Sequence, residues 1–344
     1  MPIDASSADP ATSPPALPTA RTGAPGALIA ALDIGGTKTA GALVDADGGL
    51  LAPTVRPTPA SRSAQDVMAV VEQVLAELAA TPHWSRVQAV GIGSAGPVDA
   101  SAGTVSPVNI PAWRGFPLVA RVKAVTGGLP VVLAGDGVAM AAAEHWRGAA
   151  RGFDNALCMV VSTGVGGGLV LGGALHSGPT GNAGHIGHIS VDLDGERCPC
   201  GARGCVEQIA SGPSIVRRAL SAGWQPDGDD TSCAAVAASA HRGDPVAIAS
   251  FERAAQALAA GIAAAAALVE IEVAVIGGGV AGAGEVLFAP LRTRLREYAA
   301  LSFLQGLQVR PARLGTAAGL IGAAAMAARV LGLDAFAAGA VSMP

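Results

Sequence analysis

The chain has 344 residues, of which 51% are hydrophobic and 14% charged, and its net charge is −4. That size and composition exclude a wholly disordered chain and favour one large domain or two linked lobes. No basic run marks a nucleic-acid surface, and the mostly apolar stretches Ala254–Val269 and Leu314–Ala328 fall short of a bilayer span.

Residues 1–27 are rich in Ala, Pro, Ser and Thr and lack periodicity, so a disordered leader is expected there. Its start has no basic residue and no apolar core of the kind that marks a signal peptide. A cytoplasmic protein is therefore expected, with its five cysteines reduced. Leu28–Ile34 reads as a buried strand, followed by a Gly35-Gly36 turn and a second strand over Thr39–Val44. Asp47-Gly48 offers a hairpin turn. Val67, Val70, Val71, Val74, Leu75 and Leu78 recur at helical spacing. Strands are expected at Val87–Gly93 and Pro130–Ala134, the latter leading through Asp136 into a helix.

The pattern then restarts. Ala156–Ser162 reads as a strand, Gly164–Gly168 as a glycine turn and Gly168–Leu171 as a returning strand. A helix over Phe251–Val269, a strand at Val273–Ile276, a helix over Glu285–Tyr298 and a terminal helix over Thr316–Val330 follow. Two strand–turn–strand units, each followed by helices, predict two similar α/β lobes around a cleft. The expected bounds are 28–135 for the first lobe and 136–330 for the second, with the terminal helix free to return to the first lobe and 331–344 as a tail. Ligands usually sit in such a cleft.

Five motifs carry chemistry. Asp33-Ile34-Gly35-Gly36-Thr37-Lys38 places glycines between two strands, where successive N–H groups can form an anion nest and Thr37 and Lys38 add a hydroxyl and a charge. An ordinary decorated hairpin is the competing reading. Ser162-Thr163-Gly164-Val165-Gly166-Gly167-Gly168 repeats the device, and two such loops can grip a polyphosphate from both sides. Neither fits the Walker pattern. Gly277-Gly278-Gly279-Val280-Ala281-Gly282 follows a strand, but the acid at the distance a dinucleotide site would want, Glu297, falls in an expected helix rather than at a strand end. A nucleotide-base pocket remains. His188, Cys198, Cys200 and Cys205 lie in a segment broken by Pro199, Gly201 and Gly204, which suits a structural Cys3His zinc site better than packed core thiols. Asp136, between a strand and a helix, reads on its own as a helix N-cap.

Taken together these motifs resemble the bacterial sugar kinases of the ROK family (repressors, open reading frames and kinases), from about Leu28 to Val330. Cys205-Val206-Glu207 leading to Ala210-Ser211-Gly212 is similar to a further family segment. The resemblance implies a two-lobed actin-like ATPase fold, ribonuclease-H-like in each lobe, with sugar, ATP and Mg²⁺ meeting in the interlobe cleft, and a homodimer. It implies that Gly35, Gly36, Thr37, Lys38, Thr163, Gly164, Gly166 and Gly167 face phosphates, that Gly278 and Gly279 lie on the adenosine side, and that Asp33 helps position Mg²⁺. Asp136 becomes the catalytic base, and Asn109, His188 and Glu207 contact the hexose.

Two positions depart from the family pattern. Gly135 replaces an Asn before the base, and His185 replaces a Glu before the zinc loop. Both missing residues resemble hexose partners around C2 and C3. A changed substituent on that edge is expected, because unpaired buried groups discriminate strongly. The reading is a 6-kinase for an amino-hexose such as kanosamine (3-amino-3-deoxy-glucose), in antibiotic biosynthesis, with an ordinary glucokinase as alternative. A repressor or a non-catalytic sugar sensor is the further alternative. The leader lacks the helical periodicity of a winged helix, and Asp136 with two phosphate loops argues for catalysis.

Overall fold

The computed structural model describes residues 26–333, so most of the leader and the last part of the tail lie outside the described residues. In chain order the first half contains β1 Leu28–Ile34, β2 Lys38–Val44, β3 Leu50–Pro57, α1 Ala64–Ala79, β4 Val87–Ser94, β5 Val98–Asp99, β6 Thr104–Val105, α2 Leu118–Val125, β7 Val131–Gly135 and α3 Asp136–Arg147. The second contains β8 Ala156–Val161, β9 Val165–Leu171, β10 Ala174–His176, α4 Val206–Ala210, α5 Gly212–Ser221, α6 Cys233–His241, α7 Pro245–Val269, β11 Val273–Gly277, α8 Glu285–Tyr298, β12 Gln308–Pro311 and α9 Ala318–Val330.

The two halves share one topology. The sheets run β3-β2-β1-β4-β7 and β10-β9-β8-β11-β12. In each, the first three strands are antiparallel and the last two join in parallel. This is the expected pair of ribonuclease-H-like lobes of an actin-like ATPase. Strand β1 shows why it is buried throughout. Leu28, Ala30 and Leu32 pack with Val67, Val71 and Val74 of α1 on one face. Ile29 and Ala31 pack with Ala323 and Ala324 of α9 on the other. Alternation of side chains across a doubly covered sheet requires an apolar residue at every position. Helix α1 opens on a capping box in which Ser63 and Asp66 satisfy each other's backbone N–H.

Helices α3 and α9 pack against each other between the sheets. Helix α9 packs on β1, β4 and β7, while α3 packs on β8 and β9. Close approach depends on missing side chains. A Cβ on Gly137 of α3 would lie 2.5 Å from the Gly167 carbonyl oxygen, and one on Gly322 of α9 would lie 1.7 Å from that of Ala139. The far end of α3 is tied down by Glu144, a fully buried residue. Its carboxylate accepts the N–H groups of Ala149 at 2.7 Å and of Arg313 and Leu314 at 3.0 Å each. Hydrogen bonds of this kind offset the cost of burying a charge.

Several expectations need correction. The second glycine turn spans only Ser162–Gly164, closed by the Ser162 N–H on the Gly164 carbonyl at 2.8 Å. Gly166, Gly167 and Gly168 lie in β9 instead, where small residues let α3 seat on the sheet. Helix α7 starts at Pro245, N-capped by Asp244, rather than at Phe251. Its 25 residues are long and apolar enough to cross a membrane by length and composition. Here it forms the centre of the second lobe's core, with Phe251, Leu258 and Ile262 fully buried. Helix α9 starts at Ala318, because Gly315–Ala317 forms a 3₁₀ turn.

Candidate active site in the interlobe cleft

Strand β1 ends beside the first glycine turn, which is closed by the Gly35 N–H donating to the Lys38 carbonyl at 2.9 Å. Thr37 and Lys38 project from it, both exposed. Asp33 lies one strand position before the turn, opposite Gly93 of β4. Its carboxylate packs against α9 so tightly that a Cβ on Gly319 would sit 2.3 Å from Oδ2. Asn109 covers the same turn, its Nδ2 lying 2.6 Å from where a Gly36 Cβ would be. The loop that carries it is anchored by buried Ile110 and by Trp113, which stacks on Phe116 at 4.6 Å.

Asp136 is the first residue of α3, with Gly135 in the cap position, so the N-cap reading of Asp136 is displaced by one residue. Its Oδ1 accepts the Gly137 N–H at 2.7 Å. The residue is open to solvent along the cleft, yet protein crowds its other sides. The resulting desolvation raises its pKa, against the Gly137 hydrogen bond and the nearby His185, which lower it. Gly166 of β9 lies opposite, where an added Cβ would be 4.0 Å from Oδ1. Among the described residues, its chain neighbours aside, no atom lies within 4 Å of a Cβ placed on Gly135, so there is space for a larger residue.

Asp33 feels both burial and the Asp136 charge, which push its pKa from the ordinary 3.8 to about 6 despite Lys38. The sign is that of a raised acid. Asp33 contributes stability that is fully present below about 3.8 and lost as pH rises through about 6. Asp33→Asn is therefore expected to stabilise the fold at neutral pH by on the order of 1–2 kcal/mol, visible as a higher Tm. The wild type should lose activity as pH falls through about 6, where Asp33 takes up its proton. A pH–rate profile checks the second point, and a flat profile between pH 5 and 7 would contradict it.

The second lobe supplies the other wall. Glu207 on α4 accepts the Val165 N–H at 2.9 Å, so its carboxylate sits against the second glycine turn. An added Cβ on Gly164 would be 2.7 Å from its Oε2. His185 borders the 3₁₀ turn Ile186–His188. Burial and His188 lower its pKa below the ordinary imidazole value, against Asp136 and Glu207, which raise it. Gly278 and Gly279 pack behind the second turn. A Cβ on Gly278 would meet the Val161 carbonyl at 2.4 Å, and one on Gly279 the Ser162 hydroxyl at 3.7 Å. The Gly212 N–H closes this end by donating to the Ser162 carbonyl at 2.8 Å. Thr163 lies within the turn itself. Gly167 is buried under Gly184 and Ile186, which makes it a packing residue rather than part of the open loop.

His188 Nδ1 and the three sulfurs of Cys198, Cys200 and Cys205 all lie within 4.8 Å of one another. The Cys198–His188 and Cys200–Cys205 separations are both 3.8 Å. A zinc–sulfur bond of about 2.3 Å implies a tetrahedron edge of about 3.8 Å, so the donor set fits zinc. Cys205 is the N-cap of α4 and stands two residues before Glu207. The same four side chains thus brace both His185 and Glu207. Sequence reasoning missed Asn182, whose amide contacts His185 and the first lobe. No motif marked it, since only the fold brings Val98 to it.

Comparisons with known proteins show the family. A glucokinase of Streptomyces coelicolor is 35% identical over 321 residues, covering 87% of this chain and 97% of the relative. An N-acetylmannosamine kinase of Escherichia fergusonii is 37% identical over 298 residues, covering 86% of this chain and 97% of the relative. The crystal structure of a ROK family glucokinase from Streptomyces griseus, in complex with glucose and AMPPNP, superposes with a TM-score of 0.77 at 36% identity, covering 88% of this chain and 99% of that one. The family model for ROK matches residues 29–330. With both lobes, both glycine turns and the Cys3His cluster in place, the chain belongs to the ROK family.

Proposed function

We propose that this chain is an ATP-dependent sugar kinase that phosphorylates the 6-hydroxyl of a 3-amino-hexose of the kanosamine type. The observation that carries the kinase reading is Asp136 at the head of α3, facing Gly166 across the cleft and sharing it with Asp33 and Glu207. Asp136 accepts the proton of the sugar hydroxyl as its oxygen bonds to the γ-phosphorus. The bond from that phosphorus to the β,γ-bridging oxygen breaks, and ADP leaves. Phosphoryl transfer needs positioning and charge neutralisation above all. Lys38, Thr37 and the backbone N–H groups of both turns supply these from the two sides. Mg²⁺ would neutralise phosphate charge, and Asp33 is the carboxylate that would help to hold it. Zinc held by His188, Cys198, Cys200 and Cys205 would supply rigidity, and a reducing cytoplasm suits those thiols.

The amino-sugar reading rests on the pocket edge. The open space at Gly135 and the imidazole of His185 sit among the carboxylates of Asp136 and Glu207. An ammonium group there meets the negative charge of Asp136 and Glu207. Glucose is the second reading, favoured by the glucokinase relatives. The deciding measurement is kcat/KM for kanosamine against glucose, with His185→Glu and Gly135→Asn alongside. The wild type is expected to prefer kanosamine, and the double variant to move the ratio toward glucose. Preference for glucose, or an unchanged ratio, would refute the pocket argument and leave the kinase assignment standing.

A further inference from the structure

Beside the candidate sugar pocket, one side-chain amide bridges the two lobes. Asn182 lies in the second lobe, between β10 and His185. Its Nδ2 donates to the Val98 carbonyl at 2.8 Å, and the Val98 N–H donates to its Oδ1 at 3.3 Å. Val98 belongs to β5 of the first lobe, so the amide pairs with a peptide much as a neighbouring strand would. The contact continues on both sides. The Ala100 N–H donates to the Thr180 carbonyl at 3.4 Å. Gly181 lies so close that an added Cβ would be 3.1 Å from the Ala100 Cβ.

This pairing fixes which way the amide points. The Val98 carbonyl only accepts and its N–H only donates, and Nδ2 also faces the Thr180 carbonyl at 3.3 Å. Oδ1 then reaches Nε2 of His185 at 3.4 Å. An amide oxygen can only accept, so this hydrogen bond requires the proton on Nε2. In the neutral ring Nδ1 then carries the lone pair. His185 Cε1 lies against Gly96, two residues before Val98, where an added Cβ would be 3.9 Å away.

We propose that Asn182 is a positioning residue that ties the interlobe contact at Val98 to His185, holding the imidazole as its Nε2–H tautomer with Nδ1 as a hydrogen-bond acceptor. The identity of the donor it receives, an amine or hydroxyl of the sugar, rests on the proposed function; the tautomer and the interlobe tie do not. Separation of the lobes would release Val98 and leave His185 free to turn. The acceptor is therefore presented only when the cleft is assembled.

The test uses the full chain labelled with ¹⁵N-histidine. Long-range ¹H–¹⁵N spectra report the tautomer of each imidazole, and His185→Gln identifies the His185 signals by their loss. The wild type is expected to show the Nε2–H form at His185. Asn182→Ala should give a mixture of tautomers and raise the sugar KM on the order of tenfold, the worth of one hydrogen bond to a polar partner, with the ATP KM unchanged. Asn182→Asp keeps the acceptor for His185 but cannot donate to Val98. It should retain the tautomer while losing part of the KM effect. An Nδ1–H form in the wild type overturns the proposal, as does an Asn182→Ala protein with the wild-type tautomer and sugar KM. Failure of the kinase reading would show separately, as no turnover with any sugar, and the wild-type spectrum would still decide.

Discussion

Replacing Asp136 by Asn is expected to lower turnover by at least ~10²-fold, the range for removing a general base, while sugar affinity changes far less. Asn has the size of Asp and can still accept the Gly137 N–H through its amide oxygen, so the start of α3 should hold its shape. What disappears is the proton acceptor. The raised pKa of Asp136 strengthens the expectation, because a desolvated carboxylate is a better base than an exposed one. Loss of a negative charge beside Asp33 acts in a second way. Asp33 is raised partly by Asp136, so the variant should shift the remaining acid limb of the pH profile downward. Steady-state kinetics and equilibrium sugar binding check the two halves. Near-wild-type turnover would rule out the assigned role.

The second large effect concerns the Cys3His cluster. Cys200 is the exposed cysteine of the set. An exposed thiol replaced by Ser ordinarily changes stability within about 0.5 kcal/mol. Cys200→Ser should exceed that clearly if the four side chains share an ion, because ligation free energy is folding free energy for a loop without a core of its own. The loop closes through Cys198 and Gly201 backbone bonds and through the Ser190–Cys205 bridge. Its release would free both the His185 turn and the start of α4. The expected result is one zinc per wild-type chain by metal analysis, loss of it in Cys200→Ser or on chelation, a lower Tm and reduced activity. Purified wild-type protein without stoichiometric zinc would defeat the assignment.

The parts of the fold legible in the sequence were those with strong periodicity or continuous apolar runs. Helix α1 and strands β1, β4, β8 and β11 fall where the pattern places them, to within a residue or two at most ends. Two of the missed strands show the physical reason. β3 and β12 are edge strands with charged residues and one wet face, and β12 is only four residues long. Helix α6 is Ala-rich with almost no contrast between its faces. At the site, residue type at short spacing marked the glycine turn after Asp33 and the Cys3His cluster, whereas Asp136 and Glu207 entered as candidates through the family resemblance. Glu144 and Asn182 had no such signature. Their partners, Arg313, Leu314 and Val98, are distant in sequence and offer backbone groups that every residue has.

The seam between α3 and α9 has a mechanical consequence. Where these helices meet, Ala139 of α3 and Gly322 of α9 present backbone rather than long side chains. Interlocked side chains resist sliding because rotamers must change before the surfaces can move. The Ala139–Gly322 contact has few such teeth. It behaves as a smooth bearing, stiff against separation and compliant to small rotations of one sheet over the other. Resistance to opening then falls on features at the rim, and a substitution that adds a single methyl at Gly322 would act as grit in that bearing even though it touches no ligand.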